Sequence, residues 1–255
     1  MKREVRSAKT WCLFLAVIGM LGLASRPSSA ASITVSMTVD NSYALFTGTH
    51  DAATAFIGSD GDWPTTETYN FVLPLDSYIY VVTASDLSVA QGFLAEFNNN
   101  TDGYTFYSND PQWQVMATGL RTGAGPTYGA PYSGSAADLA LLSGEIVDAN
   151  GGGNPSNGWV GLTEGPVNGS SPWGLRPDID AVAHWVWYSS NGDTDPTTPG
   201  FNHNEWLVFR IAVAATPEVP IPDPSPTPVP EPGTALLVLS GSGIAAAIRR
   251  RRSRG

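Results

Sequence analysis

Cysteine is all but missing from this chain: Cys12 is the only one in 255 residues, and it sits in an apolar stretch near the N-terminus. Once that stretch is removed as a leader, no disulfide, thiol nucleophile or cysteine metal site remains, although the destination is oxidising. Positive charge is the second scarcity. Of the 13 Lys and Arg, five precede Ala31 (Lys2, Arg3, Arg6, Lys9, Arg26) and five close the chain, leaving only Arg121, Arg176 and Arg210 between Ala31 and Pro232. That region holds 22 carboxylates and a net charge of −19, which repels the phosphate backbone of nucleic acid and an anionic lipid surface alike. Nucleic acid is thereby excluded as a partner. Such acidity suits a soluble exported surface, and it also suits divalent cations, which take oxygen ligands. Catalytic signatures are the third absence. His50, His184 and His203 form no H-E-x-x-H spacing, and the exported region has no G-x-S-x-G elbow.

What is present begins at the two ends. Lys2, Arg3, Arg6 and Lys9 precede an apolar run from Thr10 to Ala24, and Ser28-Ser29-Ala30 follows it. This is the order of a secretory signal peptide, residues 1–30, a signal helix with cleavage expected after Ala30. At the other end, the apolar run Thr234 to Ile248 is bounded by Pro230-Glu231-Pro232 and by Arg249, Arg250, Arg251 and Arg252. A helix over 234–248 would span about 22 Å against a hydrocarbon core of ~30 Å, so it is a marginal single membrane anchor. The arginines are expected to stay in the cytoplasm, which places everything upstream outside.

The Pro-Glu-Pro tripeptide, short apolar helix and arginine cluster, in that order, resemble a PEP-CTERM sorting signal of Gram-negative bacteria, here residues 233–255 with the motif just before them. The resemblance implies a transient tether to the inner membrane, recognised by an exosortase that cleaves near Pro-Glu-Pro. It speaks of handling rather than activity. The alternative is an ordinary tail anchor. Between the tail and the body, residues 216–232 carry eight prolines, an extended spacer that would hold the domain up to roughly 50 Å from the bilayer.

The body, residues 31–215, is long enough for one substantial core. Its apolar residues alternate at period two: Ile33, Val35, Met37 and Val39 form one such set, and Tyr69, Phe71 and Leu73 another. Tyr78–Ala84, Phe93–Phe97, Trp113–Ala117, Val182–Tyr188 and Trp206–Val213 read as further strands between Gly, Asn, Asp and Pro turns. The expected fold class is all-β, a sandwich or jelly roll. Gly119 to Asp180 breaks the rhythm and reads as a binding loop or an insertion without a ligand, with a short helix near Ala136–Leu142 capped by Ser135 and Asp138.

The order of Val39-Asp40-Asn41-Ser42-Tyr43-Ala44-Leu45-Phe46, Gly61-Asp62-Trp63, Asn109-Asp110-Pro111-Gln112-Trp113 and the closing strand Glu205–Arg210 resembles a galactose-binding-like β-jelly-roll. That resemblance covers most of Ile33 to Val213, and Gly119 to Asp180 matches it poorly. It implies a carbohydrate-binding role at a bacterial surface and a structural calcium near the early loops, which directs attention to Asp40, Asp60 and Asp62. Read from the residues alone, these aspartates are better explained by local turn hydrogen bonds than by a metal. Asn98 to Asn109 imitates a calcium loop, but Asn replaces both the first Asp and the bidentate Glu.

Sugar binding pairs a flat aromatic face with a few placed polar groups. Trp159 and Trp173, both in the irregular segment, are the candidate sugar ligands, while Trp63 and Trp113 read as packed. Two function classes follow: a non-enzymatic cell-surface or matrix protein associating with extracellular polysaccharide, or a glycan-acting enzyme or its accessory module. No catalytic residue is assigned, and calcium is the one cofactor expected.

Overall fold

The structure, a computed structural model, describes residues 30–85, 89–121, 132–189, 194–198 and 205–213. The leader before Ala30, the proline-rich spacer, Pro230-Glu231-Pro232, the 234–248 run and the terminal arginines lie outside the described residues. Among those described, no helix is long and apolar enough to cross a membrane.

The chain order is β1 (Ala31–Asp40), β2 (Ser42–Thr49), β3 (Ala52–Asp60), β4 (Glu67–Leu73), β5 (Ser77–Ala84), β6 (Gly92–Asn99), β7 (Tyr104–Tyr107) and β8 (Gln114–Arg121). A helix, α1 (Ala136–Gly151), then precedes β9 (Thr163–Val167), β10 (His184–Trp187) and β11 (Glu205–Val213). The strands form two antiparallel sheets. One has the order β4-β1-β6-β10-β9, with β7 also paired to β6; the other runs β3-β2-β5-β11-β8. The two inner faces meet in one core, built by the predicted alternation: Ile33, Val35, Met37 and Val39 from β1 pack with Leu45, Ile79, Val81, Val115 and Phe209 from the opposing sheet.

The domain is mostly β, as expected, and the helix expected near Ala136–Leu142 is 16 residues long and packs on the outside of the second sheet. Ser135 Oγ accepts from the Asp138 N–H at 3.1 Å, as the capping pattern requires, but the Asp138 carboxylate bonds Ser133 rather than closing a box with Ser135. The helix runs well past Leu142 because Ile146 and Ala149 continue its buried stripe beyond the weak helix formers Ser143 and Gly144. Gly152 then ends it in the left-handed region at φ 75°.

The segment from Gly119 to Asp180 is thus not uniformly irregular. It contains α1, β9 and two non-repetitive stretches that cover opposite faces of the sandwich. Residues 154–160 lie against β8, where Val115 and Val160 exchange both backbone bonds at 2.9 Å. Farther on, Trp173, Ile179 and Ala183 cover Leu94 and Trp185 on the first sheet's outer face. Strands β2, β3, β7 and β9 add to those read from the sequence, and the one expected over 182–188 is shorter, His184–Trp187.

Candidate ligand-binding cleft

Three elements converge at one end of the first sheet. Strand β1 ends on Asp40, the β3–β4 turn carries Trp63, and the cap over the outer face carries Trp173. Asp60 and Asp62 shape that turn. Asp60 Oδ2 accepts from the Asp62 N–H at 2.9 Å, and the Asp62 carbonyl accepts from Thr65 N–H and Oγ1 at 2.9 and 2.8 Å, a self-bonded Asx turn that fixes the direction of the next residue, Trp63. Thr38 Oγ1 on β1 donates to the Trp63 carbonyl at 2.7 Å and ties the turn to the sheet.

Trp173 is only 3% exposed. Its ring stacks on Trp185 with centroids 4.2 Å apart and planes 18° from parallel, and its Nε1–H donates to Asp40 Oδ2 at 2.7 Å. Gly92 lies beneath the pair, where a Cβ would come 2.7 Å from the Trp185 ring and 3.3 Å from that of Trp173. Any side chain there would separate the sheet from its cap. Arg176 joins the two tryptophan-bearing segments: its guanidinium donates to the carbonyls of Pro64 and Trp173 and stands 5.3 Å from the Trp63 ring centroid.

The result is a cleft of about 240 Å³ lined by Asp40, Asn41, Trp63, Val89, Ala90, Pro172 and Trp173. Asp40, itself 7% exposed, is the only carboxylate among these residues. An acceptor oxygen held by an indole N–H, beside an amide and two aromatic walls, is chemically suited to hydroxyl groups on a small apolar-faced ring.

Trp159, the other tryptophan expected to touch sugar, lies on the opposite face of the sandwich, so the structure does not bring it together with Trp173. The Arg210 guanidinium covers its ring at 3.8 Å, and its Nε1–H donates to Asn150 Oδ1 at 2.8 Å. Arg210 is 6% exposed and spans Gln114 Oε1 and Asn150 Oδ1, each at 2.9 Å. Burial lowers its pKa from the ordinary value, opposed by the neighbouring Tyr80 and Tyr78; a guanidinium remains charged regardless.

Among the described residues no group of three or more His, Cys, Asp or Glu side chains is placed to hold a metal ion. The Asn98 to Asn109 stretch is a β-hairpin whose turn is bonded by Asn99 Oδ1 to the N–H groups of Thr101 and Asp102. His184 Nδ1 lies 2.7 Å from Glu164 Oε1 and 3.1 Å from the Gly165 carbonyl, at the start of β10. Ala30 is exposed, one residue before β1. Sequence reasoning did not single out Asn41, Pro172 or Arg176 for this cleft; the one signal for Arg176 was its rarity as a cation.

No curated protein and no solved structure matches this chain. Residues 228–252 match the PEP-CTERM protein-sorting motif. That motif implies an exported protein, anchored at the membrane and then processed, whose sorting partner is an exosortase.

Proposed function

We propose that this is a non-enzymatic protein of the Gram-negative cell surface or extracellular matrix, which binds a sugar unit of extracellular polysaccharide in the cleft between Trp63 and Trp173. The observation that carries this reading is the composition of the cleft: two tryptophans and a proline beside one buried carboxylate and one amide. Its small volume favours a single ring or chain end over a long oligosaccharide. Glycoside hydrolysis ordinarily uses a pair of carboxylates, and Asp40 stands alone among the lining residues, which favours binding over cleavage. Connections that repeatedly cross between the sheets, as at β1–β2, β4–β5 and β5–β6, support the galactose-binding-like jelly roll as the scaffold.

The test is retention of the exported chain on insoluble polysaccharide from the producing cells, with reducing-sugar release followed in parallel. Trp63→Ala is expected to weaken retention about tenfold or more, since an aromatic face buried against a ligand ranks among the strongest contacts at a binding site. Unchanged retention would remove the cleft from the account, and sugar release abolished by Asp40→Asn would favour the enzyme instead.

Calcium belongs to the same proposal, held by Asp60, Asp62 and carbonyl oxygens of the β3–β4 turn, with Asp40 nearby on the cleft. A region of net charge −19 repels itself, and a bound cation would stabilise it by mass action, about 2.7 kcal/mol at a hundredfold excess over its Kd. The expected result is a higher Tm in millimolar CaCl₂ than in NaCl of equal ionic strength, with part of the difference lost in Asp60→Ala plus Asp62→Ala. Screening alone would raise both salts equally, and equal Tm values would leave the acidity as a solubility feature.

A further inference from the structure

A sheet edge exposes a row of unpaired N–H and C=O groups, and folded proteins blunt such edges by covering, shortening, charging or interrupting them. Four edges here are treated in that way. Helix α1 lies along β3, where Ser143 Oγ donates to the Ala53 carbonyl at 3.3 Å. Residues 154–160 close β8: besides the Val115–Val160 pair, Ser156 Oγ accepts from the Ala117 N–H at 3.1 Å, and Asn154 Nδ2 donates to the Ala117 carbonyl at 3.2 Å. Strand β9 carries Pro166, which cannot donate to a ladder. Strand β7 has only four residues.

Among the described residues strand β4 has no cover, no interruption and no basic side chain. It is seven residues long, Glu-Thr-Tyr-Asn-Phe-Val-Leu, without Pro, Lys or Arg, and its partner among the described residues is β1 alone. Its side-chain bonds also run inward: Asn70 Oδ1 accepts from Thr34 Oγ1 at 2.7 Å, Thr68 Oγ1 meets Ser36 Oγ at 3.3 Å and the Tyr69 hydroxyl meets that of Tyr43 at 3.0 Å. Val72, beside the open edge, is 66% exposed.

We infer that β4 is a self-association edge, which pairs antiparallel with β4 of a second copy about a twofold axis through Asn70. Self-complementarity of the strand selects a second copy as the occupant, and charge at the seam does not oppose it. On an exported region of net charge −19, this strand holds one carboxylate, Glu67, at one end. Antiparallel pairing centred on Asn70 sets each Glu67 opposite Leu73 of the other copy, so the two carboxylates lie at opposite ends of the seam. It also sets Thr68 opposite Val72, Tyr69 opposite Phe71 and Asn70 opposite itself, with no like-charge pair. One patch serving both copies is the isologous contact of a closed dimer, and strand addition supplies its backbone bonds. Repulsion between the acidic bodies makes the association stronger in salt. This inference does not depend on sugar binding.

A single cysteine tests it, introduced into the exported chain, in which no other cysteine follows Ala30. Residues directly opposite across an antiparallel pair have Cα atoms about 4.5–5.5 Å apart, inside the roughly 4.4–6.8 Å range that a disulfide spans. Asn70→Cys is expected to give a disulfide-linked dimer on non-reducing electrophoresis, whereas Thr105→Cys, exposed on β7, is not. Asn70→Asp keeps an acceptor for Thr34 but sets two carboxylates face to face. In sedimentation velocity at low salt it is expected to shift the chain from dimer to monomer, reversed in 1 M NaCl, where the Debye length is about 3 Å. Asn70→Cys dimers no more abundant than those of Thr105→Cys would overturn the proposal. So would capture of a different protein, or a wild-type chain monomeric at both salt concentrations.

Discussion

Trp173→Ala is expected to lower the unfolding free energy by about 3–5 kcal/mol, the cost typical of removing a buried tryptophan. Three losses combine. The ring is 3% exposed, so its removal leaves a void beneath the cap. The stack on Trp185, 4.2 Å between centroids, disappears, worth about 0.5–1.5 kcal/mol beyond area. The nearly buried Asp40 loses the indole N–H that donates to it at 2.7 Å. Trp173→Phe isolates this last loss: it keeps most of the stack and removes the donor, and it should cost about 1–3 kcal/mol, the penalty of leaving a buried polar group short of a partner. Urea unfolding followed by tryptophan fluorescence measures both variants. A cost below about 1 kcal/mol for the alanine variant would show that the cap opens independently of the sandwich, and the cleft would then not be a preformed site.

Arg210→Ala is expected to cost about 2–4 kcal/mol, because this side chain fastens α1 to the sheet while filling a buried position. It spans Gln114 on β8 and Asn150 on the last turn of the helix, and its Cζ lies over the Trp159 ring, 3.8 Å from the centroid. Asn150 is shared further: its Oδ1 accepts from Trp159 Nε1, and its Nδ2 donates to the His50 carbonyl and to Asp51 Oδ1 at 3.1 and 3.0 Å. Helix α1 has no basic residue of its own in its last turn, so Arg210 supplies from the neighbouring strand the positive charge that the C-terminal dipole favours. Arg210→Lys should recover less than half of the loss, since an ammonium has neither the planar fork nor the stacking face of a guanidinium. Thermal unfolding with hydrogen exchange on α1 checks this, and a lysine variant as stable as the parent would reduce Arg210 to a simple counter-charge.

The sequence by itself determined those features whose physical cause is local. The tail's sorting signal, which implies export, was legible because its three parts are contiguous, as the match over residues 228–252 shows. Period-two alternation determined most strands and which of their faces meet in the core, because successive side chains of a strand must point to opposite sides. Strand β3 escaped because Ala52–Asp60 packs beside α1 at an edge and is mostly exposed, without the alternation that marks a two-faced strand. The length of α1 escaped because its stripe resumes after Ser143 and Gly144, and packing against Phe46, Tyr80 and Val208 outweighs their weak propensity.

Only the tertiary structure decided the site. Asp40 and Trp173 are 133 residues apart in the chain, and their hydrogen bond exists because β1 ends where the cap returns over β6. Trp159 and Trp173, near each other in sequence and equivalent by composition, are separated because the stretch between them passes from one face of the sandwich to the other. Edge exposure is likewise a property of sheet order: nothing within Glu67–Leu73 tells that β3 is covered by a helix and β8 by a loop while, among the described residues, β4 pairs with β1 alone. Local pattern sets which way each side chain points, but which elements become neighbours is set by long-range pairing and packing.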